Sequence, residues 1–323
     1  MNYKCLGCGA ILQDNDQQNV GYTKNINGKY CERCFRIKNY NDYKIVEADI
    51  KEFYDIIDKI KLTNSLVLLV VDVMSSGSEL KNLSSKLRSK PLIVVSKRDI
   101  FSYKVNDQKI LDLIDIPCVD KITVSSDKNY NMDLLMEKIN TYKRGKKVYV
   151  VGLTNSGKST LINKIIYNYT DLDMNITTSM LPSTTLNTID IEINDTLTLV
   201  DTPGIIDKGN ITNYLDSFYL KKLLIKKEIK PITYQIKCKQ YILVDKVLKI
   251  GFTENCNITM YFSNKLIISR VYKNTLDGLV KKEINVLDKN DIVINGLGFI
   301  TVDRPAKIDI YTFENVEIYV RNK

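Results

Sequence analysis

The sequence contains no histidine. A histidine general base, a triad built on one and any histidine metal ligand are therefore excluded. Long apolar runs are also missing. The longest, LVLLVV at residues 66 to 71, is far short of the roughly 20 residues that span a bilayer. No charged-then-apolar stretch opens the chain, so the expectation is a soluble, cytoplasmic protein with no membrane partner. Acidic charge is scarce at the two ends. The chain carries 47 Lys and Arg against 38 Asp and Glu, but residues 1 to 44 hold +3 and residues 206 to 323 hold +7, leaving the centre near −1. Residues 221 to 249 alone carry nine basic and two acidic side chains. Such clustering suits a polyanion such as RNA; a solvated lysine-rich face is the alternative.

What is present begins with length and cysteine. A chain of 323 residues, 44% of them hydrophobic, can bury a core in two or three domains. Four of seven cysteines fall in two CxxC pairs, Cys5/Cys8 and Cys31/Cys34, separated by 22 residues. Each pair can turn two thiolates onto one ion, which gives a tetrahedral zinc site with a closed shell and a structural role. Redox dithiols or a disulfide pair are the other uses of such cysteines. The span between the pairs is polar, so the metal would supply most of the folding energy. Cys118, Cys238 and Cys256 are scattered and are expected to be free and buried.

The strongest signal follows the apolar stretch KVYVV at 147 to 151. Gly152-Leu-Thr154-Asn155-Ser156-Gly157-Lys158-Ser159 fits GxxxxGK[ST], and Thr160 opens a helical run. Two glycines let the backbone wrap a phosphate, Lys158 reaches the outer phosphates, and Ser159 ligates Mg²⁺. Two alternating strands at 188 to 193 and 196 to 200 form a hairpin ending in Asp201-Thr202-Pro203-Gly204. Asp201 is expected to hold Mg²⁺ through water and Gly204 to sense the outermost phosphate, with Thr185 of the intervening polar stretch completing the metal shell. Lys-x-Asp occurs three times, at 97, 289 and 307, but only Lys97-Arg98-Asp99 ends a buried apolar strand. Open sheets bind ligands at such ends. A further strand, KITV, ends in Ser125-Ser126.

Together these motifs resemble the circularly permuted GTPases of the YqeH type, bacterial factors for small ribosomal subunit assembly. The resemblance covers nearly the whole chain: the CxxC pairs, VVDV with GSEL, SKRD, SSDK, GLTNSGKST, PSTTL, DTPGI and KKEIKPITYQI. It implies an α/β circularly permuted P-loop G domain at 45–210, between a zinc finger at 1–44 and a basic, strand-rich α+β domain at 211–323. It implies slow GTP hydrolysis with GTP or GDP, Mg²⁺ and Zn²⁺ bound. Lys97, Asp99, Ser125 and Ser126 would read guanine, and Gly152 to Thr160 would hold the phosphates. The implied partners are the small (30S) ribosomal subunit, its 16S rRNA and its proteins, met as a monomer. Ser96 stands where the family usually has Asn, which is expected to weaken a bond bracing the P-loop. Asn155 matches an asparagine that ligates K⁺ in related potassium-activated GTPases. Ile205 occupies the position of a water-orienting glutamine, so the attacking water must be organised otherwise.

A basic helix over about 211 to 225 is expected next, then strands near 232–238, 247–252, 257–262 and 266–272. Lys221, Lys222, Lys226, Lys227 and Lys230 are the candidate rRNA contacts. The competing expectation is an RNA- or protein-binding zinc-finger module whose nucleotide is structural.

Overall fold

The computed structural model describes Tyr3, Cys5 and residues 11–16, 21–32, 50–170, 188–272 and 278–321. The chain divides into two compact units: Met1–Asp72, Leu80–Arg98 and Ile116–Asp207 form one, and Val73–Glu79, Asp99–Asp115 and Lys208–Lys323 the other. The helices of the described residues are α1 (Ile50–Lys61), α2 (Ser78–Ser85), α3 (Asp107–Leu111), α4 (Met132–Tyr142), α5 (Lys158–Tyr169) and α6 (Ser217–Leu223).

The first unit holds one sheet of six strands: β1 (Leu66–Val71), β2 (Leu92–Val95), β3 (Asp120–Thr123), β4 (Lys147–Gly152), β5 (Ile189–Asn194) and β6 (Leu197–Asp201). Their spatial order is β3-β2-β1-β4-β6-β5, parallel throughout except where β5 meets β6. The apolar runs of β1 and β2 are buried along their whole length, as parallel strands covered on both faces require. β5 mostly alternates buried and exposed residues, which suits an edge strand. Leu135 and Ile139 of α4 and Leu161, Ile162 and Ile165 of α5 pack on Leu68, Val94, Val150 and Leu199. Truncating one such side chain to alanine costs about 2–5 kcal/mol. This core fixes the strand ends from which the site is built.

The second unit contains β7 (Ile232–Ile236), β8 (Tyr241–Val244), β9 (Leu248–Phe252), β10 (Cys256–Phe262), β11 (Ile268–Val271), β12 (Val280–Val286), β13 (Asp291–Ile294), β14 (Gly298–Val302), β15 (Ala306–Thr312) and β16 (Ile318–Arg321). They form two antiparallel five-stranded sheets, β16-β13-β14-β10-β7 and β11-β8-β9-β15-β12. Ile258, Met260 and Ile300 of one sheet meet Ile242, Ile250 and Ile310 of the other in a common core. Asp291 and Arg321 make a buried ion pair at 3.3 Å, and Thr301 Oγ1 donates to Asp291 at 2.6 Å.

Three expectations change. The single helix over 211 to 225 is two short pieces, a 3-10 turn at Ile211–Tyr214 and α6. Each has its own cap: Asn210 accepts from the Thr212 N–H, and Asp216 accepts from the N–H groups of Phe218 and Tyr219. The strands expected at 232–238, 247–252 and 266–272 are shorter than expected, the one expected at 257–262 begins a residue earlier, and β8 is added between the first two. Only Cys256 of the three scattered cysteines is buried. Cys118 is half-buried, and Cys238 is exposed in the β7–β8 turn, its thiol donating to the Thr253 carbonyl at 3.0 Å.

Candidate nucleotide site

β4 delivers the chain to a tight loop. A Cβ at Gly152 would lie 2.4 Å from the Val70 carbonyl oxygen, so only glycine passes the end of β1. Gly157 caps α5 at φ +94°, a conformation that favours glycine, and Asn155 sits at φ +62°. The loop therefore curls onto the N-terminal end of α5, where backbone amides and the helix dipole favour an anion. Lys158 is the first residue of that helix, and its ammonium donates to the carbonyls of Gly152 at 3.2 Å and Leu153 at 3.4 Å. Burial pushes its pKa down from 10.5 to about 8, against the opposing pull of Asp201.

Asp201 ends β6 fully buried beside that lysine. A Cβ at Gly204 would stand 2.9 Å from Lys158 Nζ and 3.1 Å from Thr154 Cγ2. Leu153 and Ile205 form a parallel bridge, closed by Thr154 N–H to the Ile205 carbonyl at 2.9 Å and Ile205 N–H to the Gly152 carbonyl at 3.4 Å. The DTPG segment is thus fastened along the P-loop. The Ile205 side chain is buried. Ser159 is half-buried and Thr160 exposed at the start of α5. Thr185 lies outside the described residues. Asn155 Oδ1 and Ser156 Oγ are buried with no hydrogen-bond partner among the described residues.

The end of β2 reaches the same loop. Ser96 Oγ lies 2.6 Å from the Ser156 carbonyl and 3.2 Å from that of Val71. A hydroxyl has one proton, and the shorter contact receives it. The hydroxyl thus reaches the loop where Gly157 comes close, a Cβ there falling 3.2 Å from Ser96 Oγ. Lys97, at φ +58°, donates to Asp72 Oδ2 at 2.6 Å and to the Asn155 carbonyl at 3.0 Å. Asp72, quoted above within VVDV, was given no role there, although an acid directly after a fully apolar strand was the available signal. Asp99 lies in the 3-10 turn Arg98–Ile100 that follows β2. The Arg98 N–H donates to the Val124 carbonyl at 3.0 Å, tying the β2 end to the β3 end. There Ser125 is buried, its Oγ accepting from the Lys128 N–H at 3.1 Å, and Ser126 is half-buried.

The remaining candidates lie elsewhere. Cys5 and Cys31 are both buried, and the Cys31 N–H points at Cys5 Sγ, 3.1 Å away. Cys8 and Cys34 lie outside the described residues, among which no cluster of three metal-ligating side chains occurs. Lys221, Lys226, Lys227 and Lys230 are exposed. Lys222 turns inward, its ammonium 2.8 Å from Asp245 Oδ1 and 4.9 Å above the Phe218 ring.

A parallel sheet carrying a GxxxxGK[ST] loop at the end of a central strand, with an Asp-Thr-Pro-Gly segment fastened beside it, defines a P-loop GTPase domain. A family model described as "50S ribosome-binding GTPase" matches residues 147–255, and one described as "YqeH-like, C-terminal" matches residues 270–323. The "Uncharacterized protein YqeH" of Bacillus subtilis (strain 168) is 32% identical, with 98% of each chain covered. The chain belongs to the YqeH family of GTPases. More distant are "NO-associated protein 1, chloroplastic/mitochondrial" of Arabidopsis thaliana, 25% identical over 62% of this chain and 43% of that one, and "GTPase Der" of Thermoanaerobacter sp. (strain X514), 24% identical over 50% and 39%. The protein is accordingly a GTP-hydrolysing enzyme that binds GTP, GDP and Mg²⁺. No helix of the described residues is long and apolar enough to cross a membrane.

Proposed function

We propose that this GTPase is a circularly permuted, nucleotide-timed switch that assists assembly of the small ribosomal subunit, acting in the cytoplasm as a monomer. The observation that carries the reading is the bridge from Leu153 to Ile205. It joins the phosphate loop to the segment that leads directly into residue 208 and the second unit. A change at the outermost phosphate would then pull on the start of that unit. The strand order supports the permuted topology, because the P-loop strand β4 is fourth in the chain yet lies between β1 and β6.

In this reading Gly152 to Thr160 hold the phosphates, Ser159, Asp201 and Thr185 serve Mg²⁺, and Gly204 reports the γ-phosphate. Lys97, Asp99, Ser125 and Ser126 read the base. Lys158 balances charge in the transition state, where phosphoryl transfer depends on positioning and electrostatics. Asn155 is the K⁺ ligand, a role its partnerless buried Oδ1 supports. A structural Zn²⁺ would be held by Cys5, Cys8, Cys31 and Cys34. The N–H donated to Cys5 Sγ supports this, since such a bond favours the thiolate that a metal needs. Exposed Lys221, Lys226, Lys227 and Lys230 are the rRNA contacts, whereas Lys222 is engaged by Asp245.

The test is sedimentation with isolated 30S and 50S subunits. The expected result is co-migration with 30S in a non-hydrolysable GTP analogue and release in GDP. Binding to 50S alone, or binding indifferent to nucleotide, would overturn the proposal.

A further inference from the structure

The order of strands poses a problem of reach. Lys97 stands at the end of β2 and the phosphate loop at the end of β4, with β1 between them. Neighbouring strands lie about 4.8 Å apart, so the ammonium must cross about 10 Å over the end of β1. The residue at that end is Asp72. We infer that Asp72 is a positioning residue for the nucleotide site: its carboxylate holds Lys97 against the Asn155 carbonyl, so that the phosphate loop keeps its amides aimed at the phosphates. The inference rests on the reading of residues 152 to 160 as the nucleotide loop.

Three observations carry it. The Asp72 side chain is 9% exposed and 2.6 Å from Lys97 Nζ, so it is a mostly buried charge whose natural satisfaction is this lysine. The same ammonium is 3.0 Å from the Asn155 carbonyl, one residue before the carbonyl taken by Ser96. Two successive loop carbonyls are thereby drawn toward the end of β2. In a trans peptide the C=O and the following N–H point in opposite directions. The amides of Ser156 and Gly157 are therefore turned away from β2, that of Ser156 donating across the loop to the Leu153 carbonyl at 3.3 Å. Finally, Lys97 and Asn155 both occupy left-handed backbone, at +58° and +62°. Non-glycine residues hold such conformations where surrounding contacts over-determine them. Without Asp72, a flexible side chain with four rotatable bonds would have to make the crossing unaided.

The test is a double-mutant cycle on nucleotide binding with full-length protein. Asp72→Asn is expected to raise Kd for GDP and KM for GTP by about tenfold or more, the loss typical of a charge-assisted bond. The kcat should move less than twofold, because the loop is oriented alike in ground and transition states. In a Lys97→Met background the same change should cost less than twofold further. Losses that multiply in the double mutant, a fall in kcat at constant KM, or wild-type affinity in Asp72→Asn would each overturn the inference. Should Asp72→Asn not fold, Asp72→Glu replaces it, its longer side chain displacing the ammonium. A several-fold loss that vanishes beside Lys97→Met supports the inference; a loss that persists there, or no loss, overturns it. Failure of the underlying site reading would look different, since wild type and Lys158→Met would then bind GTP alike.

Discussion

Raising the pH should make GTP binding take up a proton. In the nucleotide-free protein, burial lowers the pKa of Lys158 from 10.5 to about 8. That difference corresponds to about 3 kcal/mol of unfavourable burial of the ammonium. Triphosphate brings negative charge to the lysine and restores its preference for the proton. At pH 8.5, about three-quarters of the free protein carries a neutral Lys158 and must be reprotonated on binding, whereas at pH 7 only about one-tenth must be. Terminal phosphates are already ionised at pH 8.5, so they add little to the count. Isothermal titration at pH 8.5 in two buffers of different ionisation enthalpy reads the number directly. The expected uptake is about 0.7 proton per GTP in wild type and near zero in Lys158→Met. The same depression has a stability signature of definite sign. Between about 8 and 10.5 the unfolded chain holds a proton that the folded chain has lost, so the lysine's contribution to unfolding free energy rises with pH through that window. Below pH 8 the burial penalty is present in full. Zero uptake by wild type at pH 8.5, or equal uptake by Lys158→Met, would refute the assignment of Lys158 to the phosphates.

Gly204→Ala puts a methyl 2.9 Å from the flexible tip of Lys158, which can yield, and 3.2 Å from the Thr154 Cα, which must give by a few tenths of an ångström, so the fold should survive with a modest fall in melting temperature. GTP turnover should nevertheless fall at least tenfold, about 1.4 kcal/mol of barrier, and wild-type turnover would contradict the geometry. Arg321→Met removes the cation paired with Asp291, which is 1% exposed, and should cost about 3–5 kcal/mol in urea denaturation. Adding Asp291→Leu should recover most of that loss, and a cost below about 1 kcal/mol for the single variant would be the contrary result. Replacing Na⁺ by K⁺ should accelerate GTP hydrolysis in wild type but not in Asn155→Ala, and equal rates for wild type in both salts would remove the cation site.

The chemistry at strand ends was legible because it is local. GxxxxGK[ST] needs glycines at two backbone positions and a lysine beside them, and the structure shows Gly152 against Val70 and Gly157 in left-handed backbone. The apolar run before Lys97 announced a buried strand in the same way. The contact of Ser96 with the Ser156 carbonyl was not legible, because it depends on how closely Gly157 approaches, a tertiary distance that no pairwise motif encodes. The role of Asp72 within VVDV was not legible for a related reason: its partner is 25 residues away and becomes a neighbour only through the pairing of β1 with β2. Two missed cues were present in the letters. Asn210 and Asp216 are both good helix N-caps, and two caps six residues apart argue for two short helices. The assignment of residues 73–79 and 99–115 to the second unit had no such cue, because their partners lie more than a hundred residues later, as Tyr319 does for Ser76 and Ile229 for Ile100.

The central claim is that a guanine nucleotide read by Asp99 governs attachment to the small subunit. Asp99→Asn should trade guanine for xanthine, because the amide presents a donor where the carboxylate accepted from the base. The decisive measurement is co-sedimentation of Asp99→Asn with 30S subunits in non-hydrolysable analogues of XTP and GTP. The account expects 30S association driven by the xanthine analogue and lost with the guanine one, the reverse of wild type. Association of the variant that ignores which base is supplied would contradict it.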